Sequence, residues 1–139
     1  MNSITYELQG IREAAAWLVE HLRNEKIWCF SGEMGAGKTT LIAALCEQMG
    51  ISDAVSSPTY GLVNEYRLGS SKVYHFDFYR IENEGEAIEM GVEEYFYSGN
   101  ICFIEWPQKV TSLLPNKFVQ IDLRIFEGNS RQLSFKHVS

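Results

Sequence analysis

The chain has 139 residues, 45% apolar and 22% charged, the balance of a globular chain rather than a disordered one. Eighteen acidic residues against twelve basic ones give a net charge of −6, which disfavours a domain that grips nucleic acid by its own basic field. The longest apolar run is six residues, against about 20 needed to cross a bilayer, so no membrane helix is expected.

One domain over residues 1–139 fits this length. The first ten residues hold neither a basic stretch nor an apolar core, so they do not read as a secretory signal. Ile11, Ala14, Ala15, Leu18 and Leu22 recur at helical spacing and predict a helix from Ile11 to Arg23. Ile27 to Phe30 is apolar without alternation, the pattern of a strand covered on both faces. A glycine-rich stretch from Gly32 to Gly37 follows, then a predicted helix from Lys38 to Met49 closed by Gly50. Tyr60 to Leu68 and Val73 to Tyr79 predict a hairpin. On its second strand Val73, His75, Asp77 and Tyr79 share one face, and Tyr74, Phe76 and Phe78 the other. Glu82 to Glu94 reads as one or two short helices with an acidic face, either solvated or a docking surface for a basic partner. Ile101 to Ile104 is a second buried strand, ending in Glu105. Pro107 to Leu114 reads as a helical turn and a loop. Val119 to Ile125 alternates strictly, and after a turn at Gly128-Asn129 a last strand carries Leu133 and Phe135. Cys29, Cys46 and Cys102 lie apart in apolar runs and read as reduced, buried thiols of a cytosolic protein.

The chemistry concentrates in Gly32-Glu33-Met34-Gly35-Ala36-Gly37-Lys38-Thr39, a full match to the phosphate-binding loop G-x-x-x-x-G-K-[ST]. Glycines let the backbone wrap an anion, successive amides form a nest, and the following helix adds its positive dipole end. Lys38 supplies charge to the β- and γ-phosphates, and Thr39 a hydroxyl to Mg²⁺. Phosphoryl chemistry also needs a carboxylate at the end of a buried strand. Glu105 and Asp77 are the two candidates. Asp77 in an aromatic strand needs a partner, which Arg80 or Mg²⁺ could provide. His75 is either a structural hydrogen-bonding group or a participant. Ser56 to Thr59 could be ordered by a γ-phosphate, or be a capping turn with a proline. Asn116-Lys117-Phe118-Val119 has Val119 where a guanine-binding Asp is needed, so ATP is expected over GTP.

Four blocks together resemble the TsaE (YjeE) family. They are Gly32 to Thr40, Ser57-Pro58-Thr59-Tyr60, His75-Phe76-Asp77-Phe78-Tyr79-Arg80 and Ile104-Glu105-Trp106-Pro107, in the family's order over roughly Ile11 to Pro115. The family comprises small bacterial P-loop ATPases needed for threonylcarbamoyl modification of adenosine 37 in tRNA. The resemblance implies an α/β, P-loop NTPase-like three-layer sandwich with a mostly parallel sheet and added antiparallel hairpins. It implies ATP and Mg²⁺ as cofactors, with residues Glu33, Met34, Gly35, Ala36, Gly37, Lys38, Thr39 and Thr40 on the phosphates. It places Thr39, Glu105 and Asp77 at the metal, Lys38, Asp77 and Glu105 in catalysis, and Trp106 beside the nucleotide. Ser57, Pro58, Thr59 and Tyr60 resemble the nucleotide-responsive loop, and Arg131 is expected to approach the nucleotide. TsaD and TsaB proteins are the implied partners, with tRNA reached only through them, no membrane, and a cytoplasmic setting. A small-molecule kinase and a non-catalytic, ATP-dependent interaction module are the alternatives.

Overall fold

The computed structural model describes residues 2–58 and 62–139. In chain order these form β1 (Ser3–Tyr6), a 3-10 turn, α1 (Ile11–His21), β2 (Ile27–Ser31), α2 (Lys38–Met49), β3 (Val63–Leu68) and β4 (Ser71–Asp77). Next come α3 (Glu84–Met90), α4 (Val92–Phe96), β5 (Ile101–Glu105), a 3-10 segment (Pro107–Leu113), β6 (Phe118–Ile125) and β7 (Arg131–Val138). The seven strands make one sheet in the order β1-β7-β6-β2-β5-β4-β3. β6, β2, β5 and β4 are mutually parallel, while β3 and β7 run against their neighbours. β1 is antiparallel to β7 and so points with the central four; the sheet is mostly parallel, and both antiparallel hairpins sit at its flanks.

Strand alternation divides the core into two. Trp28, Phe30 and Phe103 point to α1 and α2, where Ala15, Leu18, Leu41, Ile42 and Leu45 meet them. Cys29, Phe76, Cys102 and Ile104 point to the other face, where α3, α4 and the 3-10 segment contribute Ala87, Val92, Phe96 and Val110. Helix, sheet and helix are the three layers of the expected sandwich. Phe76 stacks on Phe78 at 5.4 Å and meets Phe96 edge-on at 5.3 Å. Each such pair contributes about 0.5–1.5 kcal/mol beyond burial. This aromatic clamp fixes β4 on one side and thereby aims His75 and Asp77 to the side of α2.

Differences from the sequence expectation have local causes. β4 stops at Asp77 rather than Tyr79, because the Asp77 carboxylate accepts the Tyr79 amide at 3.0 Å and turns the chain. α1 stops at His21, two residues early. The predicted strand start at Tyr60 lies outside the described residues, and β3 begins at Val63. β1 was not anticipated: it is a four-residue edge strand in which only Ile4 and Tyr6 face the core. No helix among the described residues is long and apolar enough to cross a membrane.

Candidate functional site

Parallel strands bring three chain segments to one edge. Phe30 of β2, Glu105 of β5 and Asp77 of β4 are successive register partners, so the strands reach their carboxyl ends side by side. That edge is where α/β sheets bind ligands. After Ser31 the chain makes the phosphate loop and enters α2. Gly37 is the N-cap of α2 at φ 99°, a conformation that side chains rarely take. At Gly32 the demand is space: a Cβ there meets the Leu123 carbonyl oxygen of β6 at 2.5 Å.

A cleft of about 800 Å³ opens at this edge, lined by residues 34–40, Ser57, Pro58, Leu62, Asp77, Tyr79, Arg80, Glu105 and Trp106. Lys38 is buried, donates to the Gly32 carbonyl and lies 4.4 Å over the Trp106 ring. Burial lowers its pKa, and Glu105 and Asp77 act against that shift. The Thr39 hydroxyl donates to Glu105 at 3.1 Å to Oε2 and 3.3 Å to Oε1. Its oxygen is 2.9 Å from the Ser57 hydroxyl, which is therefore the donor of that pair. Glu105 Oε2 also accepts from His75 Nε2 at 2.7 Å, and His75 Nδ1 lies 3.0 Å from the Tyr66 hydroxyl. With Nε2 carrying a hydrogen toward Glu105, Nδ1 of a neutral ring is an acceptor. Burial raises the Tyr66 pKa and keeps that hydroxyl protonated. Asp77 is half-buried; desolvation raises its pKa, the Glu105 charge adds to the rise, and the Tyr79 amide opposes it. Among the described residues no ion pair joins Asp77 to Arg80.

Two carboxylates, one of them pushed toward its neutral form, and a threonine hydroxyl thus converge beside a lysine. Such oxygen donors suit Mg²⁺, which takes one or two protein carboxylates and fills the rest with water and phosphate. Among the described residues no cluster of three or more His, Cys, Asp or Glu forms a protein-only cage.

The family model for threonylcarbamoyl adenosine biosynthesis protein TsaE matches residues 5–133. The chain belongs to the TsaE family. A Haemophilus influenzae protein is 38% identical over 118 residues, 85% of this chain and 75% of its own length. A Bacillus subtilis relative is 36% identical over 107 residues, covering 77% and 66%. One from Treponema pallidum is 32% identical over 129 residues, covering 91% and 95%. All three are named tRNA threonylcarbamoyladenosine biosynthesis protein TsaE. The crystal structure of Bacillus subtilis YdiB superposes with a TM-score of 0.77 at 26% identity, over 99% of this chain and 86% of its own.

Against this TsaE-family fold the sequence-derived residues fall into four groups. Residues 34–40, Ser57, Pro58, Asp77, Glu105 and Trp106 line the cleft together. Glu33 is absent from that lining and instead borders a separate depression with Ser31, Asp122 and Arg124. Arg131 reaches the loop from behind, donating to the Ala36 carbonyl at 2.9 Å, and is not part of the cleft wall. Thr59 and Tyr60 lie outside the described residues. Sequence reasoning missed Tyr66, which sits between His75 and the Ser56 carbonyl. It also left Tyr79 and Arg80 off the cleft wall, although the block His75 to Arg80 had drawn attention to them.

Proposed function

We propose that this chain binds MgATP in the cleft and hydrolyses it, weakly alone and faster on its partners. It does so as the ATPase component of the machinery that adds threonylcarbamoyl to adenosine 37 of tRNA. One observation carries the reading: the phosphate loop, Thr39, Glu105 and Asp77 converge in a single cleft. Membership of the TsaE family supplies the pathway. TsaD and TsaB proteins are the proposed partners, they hold the tRNA, and the setting is cytoplasmic. The functional unit is one domain spanning 1–139.

In this reading the loop amides and Lys38 bind the phosphate oxygens, and Lys38 offsets charge that develops on the γ-phosphoryl group. Thr39, Glu105 and Asp77 are the residues that would hold Mg²⁺, which would supply positive charge to offset the charge on the phosphate oxygens. Glu105 and Asp77 also order the attacking water for in-line displacement. Trp106, in the left-handed region at φ 59° and tilted against Tyr79 with ring centroids 5.0 Å apart, forms an aromatic wall beside the nucleotide. Arg131 braces the loop through the Ala36 carbonyl. Arg80 is the one arginine on the cleft wall among the described residues, too few for the clamp a small-molecule kinase uses.

The deciding experiment is MgATP hydrolysis with and without the TsaD and TsaB proteins of the same organism, with Lys38→Ala as control. Stimulation that the variant loses supports the ATPase reading. ATP-dependent co-elution without hydrolysis replaces it with the non-catalytic module. If neither result appears, both readings fail, and phosphoryl acceptors are screened next.

A further inference from the structure

A buried chain of hydrogen bonds lies behind the cleft, and the chemistry above does not use it. It runs from Glu105 Oε2 to His75 Nε2 at 2.7 Å, from His75 Nδ1 to the Tyr66 hydroxyl at 3.0 Å, and on to the Ser56 carbonyl at 3.2 Å. His75 is fully buried, and Tyr66 and Glu105 are each 3% exposed. The next residue, Ser57, is tied directly to Thr39 at 2.9 Å. The segment at Ser56 and Ser57 is therefore fastened twice to the Thr39–Glu105 pair, once directly and once through two strands.

The hydrogen count makes the longer tie a joint. Tyr66 has one hydroxyl hydrogen and two acceptors in reach, His75 Nδ1 and the Ser56 carbonyl. The Ser56 carbonyl also receives the Asn64 amide at 2.8 Å, so it stays satisfied when the Tyr66 hydrogen turns to His75. At the other end, a glutamate side chain has several rotatable bonds. Pinning one carboxylate oxygen removes much of that freedom, and carboxylates that hold metals are commonly oriented this way.

We propose that His75 and Tyr66 are positioning residues that couple the Glu105 carboxylate to the segment at Ser56–Ser57. A cation that draws on Glu105 re-sets the segment, and the docked segment aims Glu105. The inference rests on the MgATP reading.

The test measures binding of a fluorescent ATP analogue with Mg²⁺ and with EDTA, and amide hydrogen exchange of a peptide covering 51–58. In the unmodified protein Mg²⁺ tightens binding and protects the peptide. His75→Ala lowers the Mg²⁺-dependent tightening about 10-fold, leaves binding in EDTA unchanged, and His75→Gln, which keeps a donor toward Glu105, restores most of it. Tyr66→Phe removes one oxygen only; it keeps most of the tightening and loses the Mg²⁺-dependent protection. Melting temperatures accompany each variant, and if His75→Ala does not fold, Tyr66→Phe decides the matter. Mg²⁺-dependent protection at the unmodified level in Tyr66→Phe, or tightening at the unmodified level in a folded His75→Ala, overturns the inference even with lowered melting temperatures and leaves the ATPase reading standing. Failure of the unmodified protein to bind the analogue overturns that reading and the inference with it.

Discussion

At Lys38, burial and charge pull in opposite directions. Desolvation lowers its pKa, while Glu105, Asp77 and the Trp106 face favour its cation. A phosphate chain is the stronger partner, since charge-assisted bonds contribute about 1.5–3 kcal/mol each. Lys38→Ala is therefore expected to weaken ATP binding roughly 10- to 100-fold and to remove turnover; near-normal hydrolysis refutes the assignment. In the proposed site Glu105 serves the metal, so Glu105→Ala is expected to keep nucleotide binding within about tenfold and to stop turnover. Turnover unchanged in that variant shifts the role to Asp77. Asp77 also sets a stability balance. Its folded pKa is raised above the ordinary 3.8, first by burial, so the folded chain holds this proton longer than the unfolded chain does. The group's contribution to stability is complete below that ordinary value and is lost as pH rises through the folded pKa. Above the folded pKa the ionised carboxylate thus weakens the fold, and Asp77→Asn melts higher there by calorimetry. That gain shrinks as the pH approaches 4 in parallel melts.

At the scale of single elements, backbone contact at the loop entrance is as demanding as the charges beyond it. β2 leaves the sheet at Ser31, and Gly32 passes so close to the Leu123 carbonyl that a methyl group displaces β6 or the loop. Gly32→Ala is expected to cost about 1–3 kcal/mol, read as a lower denaturation midpoint, with nucleotide affinity falling as well. The three thiols lie within β2, α2 and β5, and burial drives each pKa up to about 12. A thiol reagent at pH 8 accordingly finds almost no thiolate in the native protein and titrates all three cysteines in urea. What the sequence disclosed follows the same division between local and distant causes. Gly37 and Gly50 bracket α2, so its limits, Lys38–Met49, could be read directly. The β4 alternation placed His75 and Asp77 on one face, again a local signal. The partners of His75 are not local: Tyr66 reaches it across the β3–β4 hairpin, and Glu105 is 30 residues away on a neighbouring strand. Strand order decides those contacts, and no periodicity records it. Arg131 shows the same limit, because its target is a backbone carbonyl 95 residues earlier.

Over the whole molecule, a net charge of −6 works against any direct hold on a polyanion. In a mobility-shift assay at physiological salt the chain alone is expected to bind tRNA no tighter than about 100 µM. A shift is expected only with its proposed partners; tight binding by the isolated chain overturns the division of labour set out above. The position of β2 carries a consequence for how the molecule is made. It is complete at Ser31, yet its two neighbours are Ile101–Glu105 and Phe118–Ile125. A chain emerging from the ribosome presents its amino end first, so β2 appears with both edges bare and waits for most of the remaining sequence. Pairings that distant make folding slow. The phosphate loop is likewise translated long before the Glu105 it faces, so nucleotide cannot template the first half of the fold. Until β5 and β6 are made, β2 is an apolar strand with two open edges, the kind of surface that invites mispairing.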